Sequence, residues 1–204
     1  MTQSATQLVI LPKTARGLTT MNRIIASAEY LFGKMGYYNT SISDVAKRAK
    51  VSAGTIYLYF PDKYTLYRYL LEQYGHRIRK EIAKGTKGMT DRLLIERQGL
   101  LVFLKMVRRQ PHMYKIIWES LYIDPNLFRE YYEDFAARYK AQLDSSAGII
   151  TPMDNTVLAY ILMGISNFVG LKYVFFDKDA DLEHAADEVM KFLQGGLLSP
   201  QTEG

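Results

Sequence analysis

Apolar residues at Met21, Ile24, Ile25, Ala28, Leu31, Phe32 and Met35 recur at steps of three and four, the spacing of one helical face, and predict a helix over residues 20–35. Gly36 supplies its stop. A much shorter helix follows, with Ile42, Val45, Ala46 and Ala49 inward, Ser41 as N-cap and Asp44 three residues on in a capping-box arrangement. Ser52 caps a third helix, in which Val51 and Ile56 occupy the two positions of a hydrophobic staple. Ile56, Tyr59 and Phe60 fall inward by spacing, which turns Ala53, Gly54, Tyr57 and in part Thr55 and Leu58 outward. Pro61 ends it, and Asp62 caps a long fourth helix from Lys63 to Lys84. Gly85 and Gly88 close that module.

The remaining residues show helical periodicity and no strand alternation, so the expected fold class is all-α. Helices are expected over 93–107, 112–122 and 126–144, the last with Leu127, Tyr131, Phe135 and Tyr139 along one stripe. Residues 148–154 read as a loop. The segment Val157–Phe176 is the most apolar in the chain and long enough to span a bilayer if wholly helical. Ser166, Asn167, Lys172 and two glycines within it argue instead for a buried interface helix, covered by an amphipathic helix over 182–193. Ala159, Ser166 and Gly170 fall near one face of it, where small side chains let another helix approach.

Two short helices separated by Lys50, Val51 and Ser52 have the layout of a helix-turn-helix, whose second helix enters the DNA major groove N-terminal end first. The same layout occurs in ordinary helical bundles, so spacing alone does not decide between them. The residues are more specific. Gly36-Tyr37, the unbroken run from Thr40 to Phe60, then Lys63 and Leu66 resemble the N-terminal domain of the tetracycline-repressor (TetR) family over about residues 20–70. The family commonly has Gly before the Val of the turn. Here Lys50 stands there and must adopt a left-handed conformation, at a cost of order 1 kcal/mol.

That resemblance implies a three-helix DNA-binding head over residues 20–66, with the helix-turn-helix at about 41–60, and a helical ligand-binding and dimerisation domain over 67–198. Residues 1–19 are expected as a disordered arm and 199–204 as a tail. The expected DNA-binding residues are Thr40, Ser41, Lys50, Ser52, Ala53, Gly54, Thr55, Tyr57, Leu58, Tyr59 and Lys63. By the resemblance, Lys63 and Tyr57 hold the phosphate backbone while Ala53, Gly54, Thr55 and Leu58 approach the bases. It further implies a homodimer through the last two long helices, with Ala159, Ser166 and Gly170 at the contact. A pocket for a small apolar or amphipathic effector is expected among Phe103, Met106, Trp118, Tyr122, Tyr131, Phe135, Met163 and Phe168. For any one of these, packing is the commoner role.

Charge sharpens this picture. Residues 1–84 hold 13 Lys and Arg against 5 Asp and Glu, whereas residues 85–204 hold 13 against 16. A basic segment joined to a mildly acidic one suits a polyanion-binding module fused to another domain. The chain has no cysteine, which excludes disulfides, thiolate metal sites and cysteine nucleophiles and agrees with a cytoplasmic location. The first twelve residues carry no secretory pattern. His76, His112 and His184 share no metal spacing, so neither metal nor cofactor is expected. Asp177, Asp179, Asp181 and Glu188 imitate a calcium loop but place Leu182 where its turn needs Gly, so Asp181 reads as a helix cap. With no phosphate loop or nucleophile elbow, the expected function is a ligand-responsive transcriptional repressor acting on a palindromic operator. The alternative is a soluble helical ligand-binding protein or enzyme that does not bind DNA.

Overall fold

The computed structural model describes residues 8–145, 152–177 and 179–195. Among these the chain is helical, without strands: α1 (Ala15–Met35), α2 (Ile42–Ala49), α3 (Ala53–Tyr57), α4 (Lys63–Gly85), α5 (Arg92–Arg109), α6 (Pro111–Ile123), α7 (Pro125–Asp144), α8 (Asn155–Gly170) and α9 (Leu182–Gly195). Helix α8 runs on into a π-helical stretch, Leu171–Phe176, closed by the Asp177 N–H donating to the Lys172 carbonyl at 3.0 Å. The predicted elements are present, but α1 begins at Ala15 and not at residue 20. Thr14 explains the shift, because its side chain accepts from the Gly17 amide at 3.1 Å and caps the helix. The expected disorder over 1–19 therefore does not hold for residues 8–19, of which Val9 is buried. Residues 1–7 and the tail 199–204 lie outside the described residues.

The helices form two compact units, one of residues up to 76 with 111–132, the other of 77–110 with 133 onward. In the first, Met21, Ile24, Phe32, Val45, Ile56, Phe60, Leu66 and Leu70 are almost wholly buried. Helix α6 belongs to this unit although it lies beyond residue 66 in the chain. It crosses α1 where Gly33 faces His112, so closely that a Cβ on Gly33 would stand 2.3 Å from the His112 Cβ. Polar bonds join α4 to its neighbours: the Tyr67 hydroxyl donates to the Ile116 carbonyl at 2.5 Å, and Arg68 reaches Glu130 at 2.9 Å. Tyr64 donates to the Asp124 carboxylate at 2.5 Å. Burial, reinforced by that carboxylate, pushes the Tyr64 hydroxyl up to about 12.

In the second unit, Leu100, Leu101 and Leu104 of α5 pack with Leu182, Ala186 and Met190 of α9. Its exterior carries an ion network in which Arg97 bridges Glu183 (3.1 Å) and Asp187 (2.6 Å), and Lys105 reaches Glu183 at 2.8 Å. The Arg97 and Lys105 partners hold the Asp187 and Glu183 carboxyls below the usual carboxylate range. Asp181 caps α9 as expected, accepting from the Glu183 amide at 2.9 Å.

Candidate nucleic-acid interface

The head is built around helices too short to persist alone, so their ends are fixed by specific groups. At α2, the Asp44 amide donates to Ser41 Oγ (3.1 Å) and the Ser41 amide donates back to the Asp44 carboxylate (2.9 Å). The Ser41 hydroxyl in turn donates to the Asp44 carboxylate at 2.5 Å, and this bond, followed by that from the Ser41 amide, holds Asp44 below the usual carboxylate range. At the other end Lys50 adopts φ 55° and ψ 49°, the left-handed conformation, and its amide donates to the carbonyls of Ala46 and Lys47. No other described non-glycine residue has positive φ. The chain thereby reverses into Ser52, whose hydroxyl accepts from the Thr55 amide at 3.2 Å and lies 2.9 Å from the Thr55 hydroxyl.

Helix α3 is five residues long, shorter than the run to Phe60 that the spacing suggests. Ile56 and Phe60 are fully buried and hold it to the core, while Tyr57 is 51% and Leu58 64% exposed. Around Gly54 there is open space, with only the Ser52 hydroxyl within 4 Å of where a Cβ would sit. Two large side chains and an open backbone on one short face make the chemistry of an unfilled interface. Tyr59 is half-buried, its hydroxyl donating to the Gly17 carbonyl of α1 at 3.4 Å.

Two predicted contacts have structural duties. Thr40 is 1% exposed and its hydroxyl donates to the Gly36 carbonyl at 2.8 Å, so the expected DNA contact from this side chain is corrected: it closes the α1–α2 turn. Lys63 donates to the carbonyls of Tyr37 (2.9 Å) and Thr40 (3.0 Å), with its ammonium 4.2 Å from the Tyr37 ring centre. Two of its three N–H bonds are thus taken by the turn. Glu119, which the sequence reading missed, clasps the same turn from α6 by accepting the Tyr37 amide at 2.8 Å. Gly36 beside it has φ 84°, and a Cβ there would meet the Glu119 carboxylate at 2.8 Å. No local pattern marks Glu119, since its partner lies 82 residues away. The remaining predicted positions Ser41, Lys50 and Ser52 are exposed, and Ala53 and Thr55 are half-buried.

The eight residues expected around a ligand pocket divide between the two units: Trp118, Tyr122 and Tyr131 fall in the first, the other five in the second. Tyr122 and Phe168 are 80% and 66% exposed, which corrects their reading as enclosed lining. Met106 and Met163 are buried, and Phe103 packs on the α5–α9 core. A surface groove of about 310 Å³ in the second unit is lined by Lys105, Arg108, Arg109 and residues 180–183, none of them among the eight. Of the predicted dimer contacts, Ala159 and Gly170 are corrected and Ser166 stays half-buried. Ala159 packs with Leu143 and Leu162, and both it and Gly170 are buried within the protomer, while Ser166 turns its hydroxyl to the Leu162 carbonyl. The open face of α8 instead carries Val157, Tyr160, Ile161 and Phe168, with nothing within 4 Å of a Cβ built on Gly164.

A capped short helix, a left-handed turn and a second helix with its outer face free define a helix-turn-helix DNA-binding protein. Residues 24–70 match the model of bacterial regulatory proteins of the tetR family. The HTH-type transcriptional regulator HbdR of Aromatoleum sp. (strain CIB) is 24% identical over 185 residues, 87% of this chain and 81% of that relative. Among solved structures, the fatty acid degradation regulator FadR from Bacillus halodurans superposes with a TM-score of 0.79 at 21% identity, covering 93% of this chain and all of that one. FadR from Bacillus subtilis, in complex with stearoyl-CoA, gives 0.73 at 20% identity, with 87% and 100% covered. At such identities the structures speak for the fold. Residues 24–70 thus carry a tetR-family domain, and the relative matched along most of the chain is an HTH-type transcriptional regulator.

Proposed function

We propose that the protein is a cytoplasmic homodimeric repressor whose hold on a palindromic operator is set by a small amphipathic effector. The observation that carries this reading is the free outer face of α3, where Gly54, Tyr57 and Leu58 stand exposed on a helix held from behind by Ile56 and Phe60. Residues 20–66 act as the DNA-binding head, and the helices over 67–198 supply effector binding and dimerisation. Gly54 allows close approach to the DNA, Leu58 suits a thymine methyl, and the Thr55 hydroxyl reaches a base edge by sharing its bond to Ser52. Tyr57 and the spare N–H of Lys63 hold phosphates.

The apolar face of α8 is where the second copy sits. By length and composition Asn155–Phe176 is also able to cross a membrane. A DNA-binding head together with Ser166 and Asn167 in mid-helix favours the subunit interface.

For the effector, acyl-coenzyme A thioesters are the class to test first, because the B. subtilis FadR structure holds stearoyl-CoA on a similar fold. Effector binding weakens DNA binding only by the difference in its affinity for the two states. The test is fluorescence anisotropy of an operator duplex selected in vitro by the protein, titrated with stearoyl-CoA, coenzyme A and stearate. Release by the thioester, and not by its two parts, is the expected result. Failure of the protein to retain any duplex overturns the regulatory reading, and release by none of the three removes the acyl thioester.

A further inference from the structure

The segment ahead of α1 is seated on the recognition element. The Ile10 amide donates to the Tyr59 carbonyl at 3.0 Å, just past the end of α3, and Val9 beside it is buried. Pro12 lies so close to α1 that a Cβ on Gly17 would stand 2.8 Å from the Pro12 Cβ, and Thr14 caps the helix. Tyr59 closes the arrangement through its hydroxyl bond to Gly17. Residues 8–14 thus form a strap bonded to the chain just after α3.

Its charge has one sign. Residues 1–28 contain Lys13, Arg16 and Arg23 and no Asp or Glu, the first acidic residue being Glu29. Lys13 and Arg16 are exposed, and among the described residues neither forms an ion pair. Arg68, Arg79, Arg97 and Arg138, by contrast, are matched by carboxylates. A recognition helix that enters the groove N-terminal end first carries its C-terminal end at the rim, where the phosphates run. Tyr59 is at that end, and the strap is bonded to it.

We propose that the strap, with Lys13 and Arg16, is a second DNA-contact element that grips phosphates at the rim of the groove read by α3. This rests on the regulatory reading above. Phosphate neutralisation adds affinity without sequence preference, and each such contact steepens the fall of affinity with salt by about 0.9 in log-log slope.

The experiment measures the affinity of the full chain for the selected operator duplex across a salt series. Lys13→Ala/Arg16→Ala should lower the slope by about 1.8 per subunit and leave the ranking of operator variants and the melting temperature unchanged. Lys13→Arg/Arg16→Lys should restore the wild-type slope. Lys80→Ala, an exposed cation on α4, should leave it unchanged. A wild-type slope in the double alanine variant overturns the proposal, as does an equal fall with Lys80→Ala or a changed operator ranking. Wild-type protein that binds no duplex overturns the regulatory reading itself, so the two failures are distinct. A variant that instead loses self-association, the alternative use of the exposed Leu8, Ile10 and Leu11, also overturns it.

Discussion

Helices α2 and α3 have eight and five residues, and α8 has sixteen. The short pair is secured at almost every end: Ser41 with Asp44, Lys50 in its left-handed turn, Ser52 with Thr55, and Lys63 and Glu119 on the turn before them. Helix α8 has the Asp154 cap and a bond from Asn155 to the Asp144 carboxylate at its start, and beyond that an apolar surface of which one face stays open. The contrast follows from the cost of nucleation. A five-residue helix gains too few backbone bonds to offset its ordering, so particular side chains must set its position. A sixteen-residue apolar helix forms readily and leaves its partner to whatever surface covers it.

The largest effect on the head is expected from Lys63→Met, which keeps length and apolar contact but removes two charge-assisted bonds to the Tyr37 and Thr40 carbonyls. A loss of about 1.5–3 kcal/mol in urea denaturation is expected. The salt slope of DNA binding then separates duties: a fall of about 0.9 per subunit marks a phosphate contact as well, and no fall leaves Lys63 a clasp alone.

Ser41→Ala comes next, with an expected cost of about 1 kcal/mol for the lost cap. It also changes the acid limb. Because Asp44 is held below its unfolded value, its contribution is full above the ordinary carboxylate range and is lost as pH falls through the depressed value. The gap between wild type and Ser41→Ala should therefore narrow below about pH 4, to what the Ser41 bond to the Asp44 amide contributes, which denaturation at a series of pH values checks. A gap that widens on acidification removes the capping box from the account.

Ile161→Lys should change the protomer least, by about 0.5 kcal/mol or less, because the side chain is 44% exposed. If the open face of α8 receives the second copy, sedimentation at micromolar concentration should turn from dimer to monomer. An unchanged dimer would move the interface elsewhere and weaken the comparison between a self-sufficient head and a dependent helix.

The head was legible because its constraints are local. Ser41 and Asp44, or Ser52 and Thr55, act across three residues, and the left-handed turn at Lys50 follows from the distance between two helical patterns. The start of α1 was missed for a related reason: Thr14 is a good cap but stands before a stretch, Ala15 to Thr20, with no apolar periodicity to announce a helix. In the C-terminal region the pattern of α8 marked a helix, yet a continuous apolar run does not say which side faces its own chain. Ala159 and Gly170 were chosen for their size and lie inward, because Leu143 and Leu162 cover Ala159. Amino-acid order alone thus determined the helical elements, the caps of the short pair and the basic head. Only tertiary structure decided that Thr40 is buried, that Glu119 and Lys63 share one turn, and which face of α8 is open, since each depends on groups brought together from distant parts of the chain.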